Sequence, residues 1–143
     1  MTWVVAANSN TCCIYLFNNK PLTLNLIKEI SHQEFRLKKS EYLTSDKPGR
    51  YQTDGTTGGA YSPHTDPKDV EIDNFSREIA LVLNQGRNSD EYDKLIIIMP
   101  PEIIGAFFQH INPHVKNLIK KEIQKNLMHL SQHELLDYLH KEL

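Results

Sequence analysis

Four of the seven histidines are spaced in a way that could bind a metal ion. They form two pairs with four-residue spacing, His110 with His114 and His129 with His133. On one face of an unbroken helix, imidazoles at that spacing can ligate zinc. Pro113 interrupts the helical pattern of the first pair, and Ser131 starts a new helix within the second. We therefore predict no metal site, and no other residue pattern calls for a cofactor.

The two cysteines, Cys12 and Cys13, are adjacent and lie in a strand pattern. Neighbouring side chains of a strand point to opposite faces, so a disulfide between them would be strained. We expect small buried apolar residues instead. The chain has neither a G-x-S-x-G nucleophile motif nor a phosphate-binding glycine motif. A non-catalytic protein is therefore expected, and the remaining enzymatic alternative is a hydrolase that uses Asp46 and Arg50.

Cations, tyrosines and glycines concentrate in the segment from about 37 to 65, which lacks helical or strand periodicity. The cations and tyrosines are Lys38, Lys39, Lys47 and Arg50 with Tyr42, Tyr51 and Tyr61. Such cations can neutralise RNA phosphates, and tyrosine rings can stack on bases. The predicted binding residues are Lys47, Arg50, Tyr51, Gly58 and Gly59. The same composition also fits a plain flexible linker.

The first part of this long glycine-rich loop carries turn chemistry. Pro48 and Gly49 favour a turn, and Asp46 can form a local ion pair or cap. We predict that Ser45, Asp46, Pro48 and Gly49 order this part of the loop. The second part, residues 52–62, is expected to be mobile.

Three strands with period-two alternation are predicted at residues 2–8, 11–17 and 22–31. Consecutive strands joined by short turns predict an antiparallel three-strand meander. In the second strand Cys12, Ile14 and Leu16 share one face. In the third strand the residues assigned to the core face are Leu22, Leu24, Leu26 and Ile30.

The remaining elements alternate between helix and strand. Asp66 and Pro67 predict the start of a helix that Gly86 ends with a left-handed residue. Residues 95–99 form an apolar run typical of a central strand, and Pro101 opens the next helix. At residues 119–125 periodicity favours a helix, with a polar edge strand as the alternative. Residues 131–134 form a capping box for the last helix, so the fold class is α/β with a mixed sheet and flanking helices.

Length and charge limit the function. The 143 residues suit a single domain, 1–143, and the net charge of −2 argues against a generally basic surface that coats nucleic acid. The first residues lack a secretory signal pattern, and no apolar run is long enough to span a bilayer. We therefore expect a cytoplasmic protein without membrane insertion.

Several short motifs resemble the bacterial host-attachment protein family along nearly the whole chain. They are Trp-Val-Val-Ala at residues 3–6, Ser-Asp-x-Pro-Gly-Arg at 45–50, Phe-x-x-x-Ile-Ala at 75–80, Met-Pro-Pro at 99–101 with Gly105, and Lys-Asn-Leu at 125–127. The Ser-Asp-x-Pro-Gly-Arg motif is the specific one. Departures from the family pattern include Asn8 in place of Asp.

The family is in turn similar to the central domain of archaeal and eukaryotic peptide-chain release factors. That similarity implies a ribonuclease-H-like fold and a strand, rather than a helix, near residues 120–125. It also implies a Gly-Gly-Gln tip, but here Gly58 and Gly59 are followed by Ala60. We therefore expect no peptidyl-tRNA hydrolysis by that route.

Two functions follow as hypotheses. The first is a non-catalytic cytoplasmic module that associates with RNA or the ribosome through its loop, with Lys47 and Arg50 as phosphate contacts. The alternative is a protein-interaction factor that contributes to attachment to host cells.

Overall fold

The computed structural model describes residues 1–31 and 67–143, and these form an α/β structure. Its elements are β1 (Thr2–Ala7), β2 (Thr11–Asn19), β3 (Leu22–Ser31), α1 (Pro67–Asn88), β4 (Lys94–Ile98), α2 (Pro101–His110), α3 (Pro113–Lys116), β5 (Ile119–Ile123) and α4 (Gln132–Glu142). The predicted α/β class with flanking helices is therefore confirmed. Among these helices, none is long and apolar enough to cross a membrane.

The five strands form one mixed sheet in the order β3-β2-β1-β4-β5. β2 runs antiparallel to both of its neighbours, β1 and β3. β4 runs parallel to β1 on one side and to β5 on the other. β2 is thus the one strand of this sheet that runs against the rest.

Helices cover both faces of the sheet. On the first face, α1 and α2 pack through Phe75, Ile79 and Phe107 against side chains of β1, β2 and β4. On the second face, α4 packs through Leu135 and Leu139. The apolar run of β4 is buried on both sides, as predicted for a central strand covered by two layers.

β3 departs from the predicted alternation. Leu26 pairs with Tyr15 and Lys28 pairs with Ile14, so Ile27 is an extra residue in a β-bulge. Because of the extra residue, alternate side chains that face one side of the sheet before the bulge face the other side after it. Leu24 therefore packs on the second face and Ile30 on the first, while Leu26 is 46% exposed. The prediction of one shared core face for Leu22, Leu24, Leu26 and Ile30 is wrong.

Gly86 does not end α1. The helix continues to Asn88, and the residue with a left-handed backbone is Asp90, at φ 56°. Gly86 is instead buried inside the helix beside Trp3. A Cβ atom at Gly86 would lie 2.7 Å from the ring carbon Cη2 of Trp3. The glycine therefore permits close packing rather than a turn.

The segment near residue 120 forms the strand β5, as the family resemblance implies, and the helix favoured by periodicity is wrong there. Its apolar residues reach different layers, because Ile119 packs on the first face and Ile123 on the second. The capping box is confirmed at α4. The amide of Glu134 donates to Ser131 Oγ at 3.1 Å, and the amide of Ser131 donates to Glu134 Oε1 at 2.8 Å.

Candidate interaction surface

Within the described residues, β3 is an outer strand of the sheet. β3 has ten residues and lies at one end of the strand order, and within residues 1–31 and 67–143 no strand pairs with its outer side. Leu26 and Ile27 are each 46% exposed at this edge. An edge strand presents unpaired backbone N–H and C=O groups that can pair with another chain. We call this edge, residues 22–31, the β3 edge.

The β-bulge changes which side chains face the first side of the sheet. Because Ile27 is inserted between two paired residues, it and Lys28 follow each other without the usual alternation. Both residues line the same groove. The bulge thus places an apolar and a basic side chain next to each other on one side of the edge strand.

This groove lies between β3 and the C-terminal half of α1 and has a volume of about 300 Å³. Trp3, Val82 and Gly86 contribute its apolar and small residues. Lys28 on the strand side and Glu91 beyond the helix contribute charge. We call it the β3 groove. Gln85 and Ser89 also line the groove, so its lining is mixed, and its apolar part can take one apolar side chain from a segment that lies along the β3 edge.

The base of the β3 groove is closely packed. Trp3 is 5% exposed, and its ring centroid lies 4.6 Å from that of Tyr92. The hydroxyl of Tyr92 donates a hydrogen bond to the backbone oxygen of Leu83 in α1. Burial raises the pKa of Tyr92 to about 12, because the phenolate would lose hydration, so the hydroxyl stays a donor at neutral pH. Trp3 is thereby held between a helix and a neighbouring ring.

On the second face, Cys13, Tyr15 and Glu29 form a polar group near the middle of β2 and β3. The Cys13 thiol donates to Glu29 Oε2 at a distance of 3.7 Å. Burial, with the Glu29 carboxylate nearby, raises the pKa of Cys13. Burial likewise raises the pKa of Tyr15 to about 12. Both groups are therefore protonated near pH 7, which does not suit a nucleophile.

Cys12 lies on the first face and is fully buried. Burial raises its pKa as well. Neither cysteine is in a disulfide, and both are buried. Their interpretation as small buried residues is confirmed.

The histidine pairs occupy separate environments. His110 Nε2 lies 2.6 Å from Asp73 Oδ1, and Arg77 donates to the other oxygen of Asp73 at 3.3 Å, so this group connects α1 to α2. His133 lies 3.5 Å from Asp137 on the same helix. Within the part of the chain that the structure describes, no three potential ligands come together to hold a metal ion.

The predicted loop site falls outside the described residues. Its proposed binding residues are Lys47, Arg50, Tyr51, Gly58 and Gly59, and its proposed ordering residues are Ser45, Asp46, Pro48 and Gly49. On either side of residues 32–66 lie Ser31, which ends β3, and Pro67, which begins α1.

The sequence pattern does not reveal the β3 edge, because strict alternation predicts Leu26 on the core face. A usable signal was present. Leu26 and Ile27 are consecutive apolar residues in a strand that otherwise alternates, and such a pair marks a break in phase typical of a bulge.

Comparison with known proteins shows to which family the chain is related. The family described as "protein required for attachment to host cells" matches residues 3–139. The chain belongs to this host-attachment family. It is also 32% identical over 117 residues to an uncharacterised protein of Rickettsia prowazekii (strain Madrid E), an alignment that covers 80% of this chain and 72% of the relative. Family membership, first indicated by short motifs, is thus confirmed.

Proposed function

We propose that this member of the host-attachment family is a protein-interaction factor that contributes to attachment to host cells, and that the β3 edge binds its partner. The observation that carries the proposal is a ten-residue edge strand with two exposed apolar side chains, Leu26 and Ile27. Proteins commonly shield exposed edges with charge or short length. β3 also exposes Lys28 and Glu29, but its length and its consecutive exposed apolar pair suit pairing with an extended segment of another protein.

The family description supports the biological side of the proposal, since it names attachment to host cells. Two side chains of the described residues do not suit nucleophilic catalysis. Cys13 and Tyr15 are held in their neutral forms by burial.

Replacing the exposed apolar side chains of the edge tests the proposal. In a strain that lacks the gene, the double variant Leu26→Lys with Ile27→Lys is expected to restore far less adherence to host cells than the wild-type gene. The matched control is Leu81→Lys, because Leu81 is 55% exposed on α1, away from the edge. It should restore full adherence.

Thermal unfolding of each purified variant shows whether the fold is retained. Substitutions at exposed positions should change the free energy of unfolding by about 0.5 kcal/mol or less. A folded double variant that supports adherence as well as the wild type would show that the β3 edge is not the binding surface.

A second proposal is a cytoplasmic, single-domain module, residues 1–143, that associates with RNA or the ribosome. Its support is the ribonuclease-H-like fold that the family resemblance implies, with which the mixed five-stranded sheet and its flanking helices are compatible. In this proposal Lys47 and Arg50 contact phosphates. Co-sedimentation with ribosomes at low salt and its loss at high salt would support it. No association at either salt concentration would end it.

A further inference from the structure

We propose that the β3 groove selects the partner, by taking one apolar side chain of an extended peptide that adds to β3 as a further strand, with an acidic residue of that peptide beside Lys28. This inference rests on the proposed function, since it assumes that the β3 edge is the binding surface. It adds the class of partner, which is a linear peptide segment with an apolar residue and an acidic residue on the same side.

Strand addition separates affinity from specificity. Main-chain hydrogen bonds to the edge hold a peptide of almost any sequence, and pockets beside the edge choose among side chains. The β3 groove lies directly beside the edge, because Ile27 and Lys28 belong to both. A side chain that points to the first face from an added strand would therefore enter the groove next to Trp3 and Val82.

The charged residues around the groove predict where an acidic side chain of the partner would lie. Lys28 is exposed on the strand side, so a carboxylate on the added strand would face it across the pair. Glu91 is exposed on the helix side and disfavours an acidic group that reaches deeper. Side chains on one face of a strand are two positions apart. The expected pattern is thus an apolar residue with an acidic residue two positions away.

Trp3 provides a direct reporter of occupancy. It is the single tryptophan of the chain, and it lines the β3 groove while being 5% exposed. A side chain that enters the groove changes the environment of its indole ring. A peptide without tryptophan that binds there should therefore shift the fluorescence emission of Trp3, whereas binding elsewhere should not.

The experiment uses a displayed library of random octapeptides, panned against the full chain and counter-selected against Ile27→Lys. Synthetic copies of the selected peptides are then titrated while Trp3 emission is recorded. We expect selection of an apolar residue with an acidic residue two positions away, and a shift in Trp3 emission on binding.

Charge reversal supplies the matched controls. Lys28→Glu should weaken binding about fivefold or more, because it replaces a cross-strand attraction with a repulsion. Lys120→Glu makes the same charge change on β5, the opposite edge strand, where Lys120 is also exposed. It should leave binding unchanged.

The other outcomes overturn the inference. If no peptide is selected, or if selected peptides bind without a shift in Trp3 emission, the groove does not select the partner. Equal weakening by Lys28→Glu and Lys120→Glu would do the same, since it would indicate only long-range charge effects. Loss of adherence in the Leu26→Lys, Ile27→Lys variant would still support the β3 edge in each of these cases, so failure of the groove and failure of the proposed function are distinguishable.

Discussion

The two outer strands of the sheet, β3 and β5, differ in length and in the side chains that they expose. β5 has five residues, and its sequence Ile-Lys-Lys-Glu-Ile places Lys120 and Glu122 at exposed positions. β3 has ten residues and exposes Leu26 and Ile27. Short length and charge discourage pairing with other chains. Within the described residues, β5 is short and charged, whereas β3 is twice as long and exposes an apolar pair beside its β-bulge and the charged Lys28 and Glu29.

The helix α4 connects these two edges. At its first residue, the Gln132 side chain donates to the backbone oxygen of Leu24 in β3. At its other end, Lys121 Nζ of β5 donates to the backbone oxygen of Glu142 at 3.0 Å. Both edge strands therefore contact the same helix. The difference between them lies in the side chains that each strand exposes. Substitutions near each edge test whether the residues that pack beneath β3 and β5 also differ in how much they stabilise the fold.

The largest expected effect is behind the β3 edge. Trp3→Ala should lower the free energy of unfolding by about 3–5 kcal/mol, because it removes a large ring from a packed core. Ile119→Ala, behind the β5 edge, should cost at most about 2 kcal/mol, because Ile119 is only partly buried. Chemical denaturation of both variants measures the difference. Equal losses would mean that the close packing beneath the β3 groove is no stronger than the packing at β5.

Gly86→Ala should lower the free energy of unfolding by about 1–3 kcal/mol, even though alanine favours helices by about 1 kcal/mol. The new Cβ would lie 2.7 Å from Trp3 Cη2 and 3.0 Å from Tyr92 Cε1. Gly105→Ala in α2 is the control. Among the described residues, no atom beyond its chain neighbours and its own helix backbone lies within 4 Å of that Cβ position, so the substitution should stabilise the protein by up to about 1 kcal/mol. Stabilisation by both would contradict close packing at the β3 groove.

The contacts at the two ends of α4 should differ in how much they stabilise the protein. Ser131→Ala removes the cap beside β3 and should cost about 1 kcal/mol. Lys121→Ala removes a partly exposed contact at the β5 end and should cost less, about 0.5 kcal/mol. Thermal unfolding of the two variants compares them. A larger loss from Lys121→Ala would show that α4 is held mainly from the β5 side.

Acid should weaken the β3 end of α4 slightly. The amide and hydroxyl of Ser131 hold the pKa of Glu134 below its ordinary 4.5. A lowered pKa in the folded state gives stability that is present above pH 4.5 and is lost as the pH falls through the folded value. Between about pH 6 and pH 3, unfolding measurements should show a slightly larger loss in the wild type than in Glu134→Gln. If the free energy of unfolding changes equally with pH in both proteins, the charge of Glu134 does not stabilise the cap.

Sequence patterns predicted the elements whose cause is local. The run at 95–99 is apolar because β4 is buried on both faces, and the capping box at Ser131 and Glu134 involves residues three positions apart. The β3 edge was not predicted, since its bulge depends on how β3 aligns with β2. Gly86 was misinterpreted for a similar reason. Its role depends on Trp3, which is distant in sequence.

The adjacent cysteines place one thiol in each layer of the protein. Cys12 lies among the side chains under α1 and α2, and Cys13 lies on the face covered by α4. A thiol buried in a folded layer reacts with a labelling reagent only when that layer opens. The modification rates of Cys12 and Cys13 would therefore measure separately how often each side of the sheet loses its helical cover, from two neighbouring residues of a single strand.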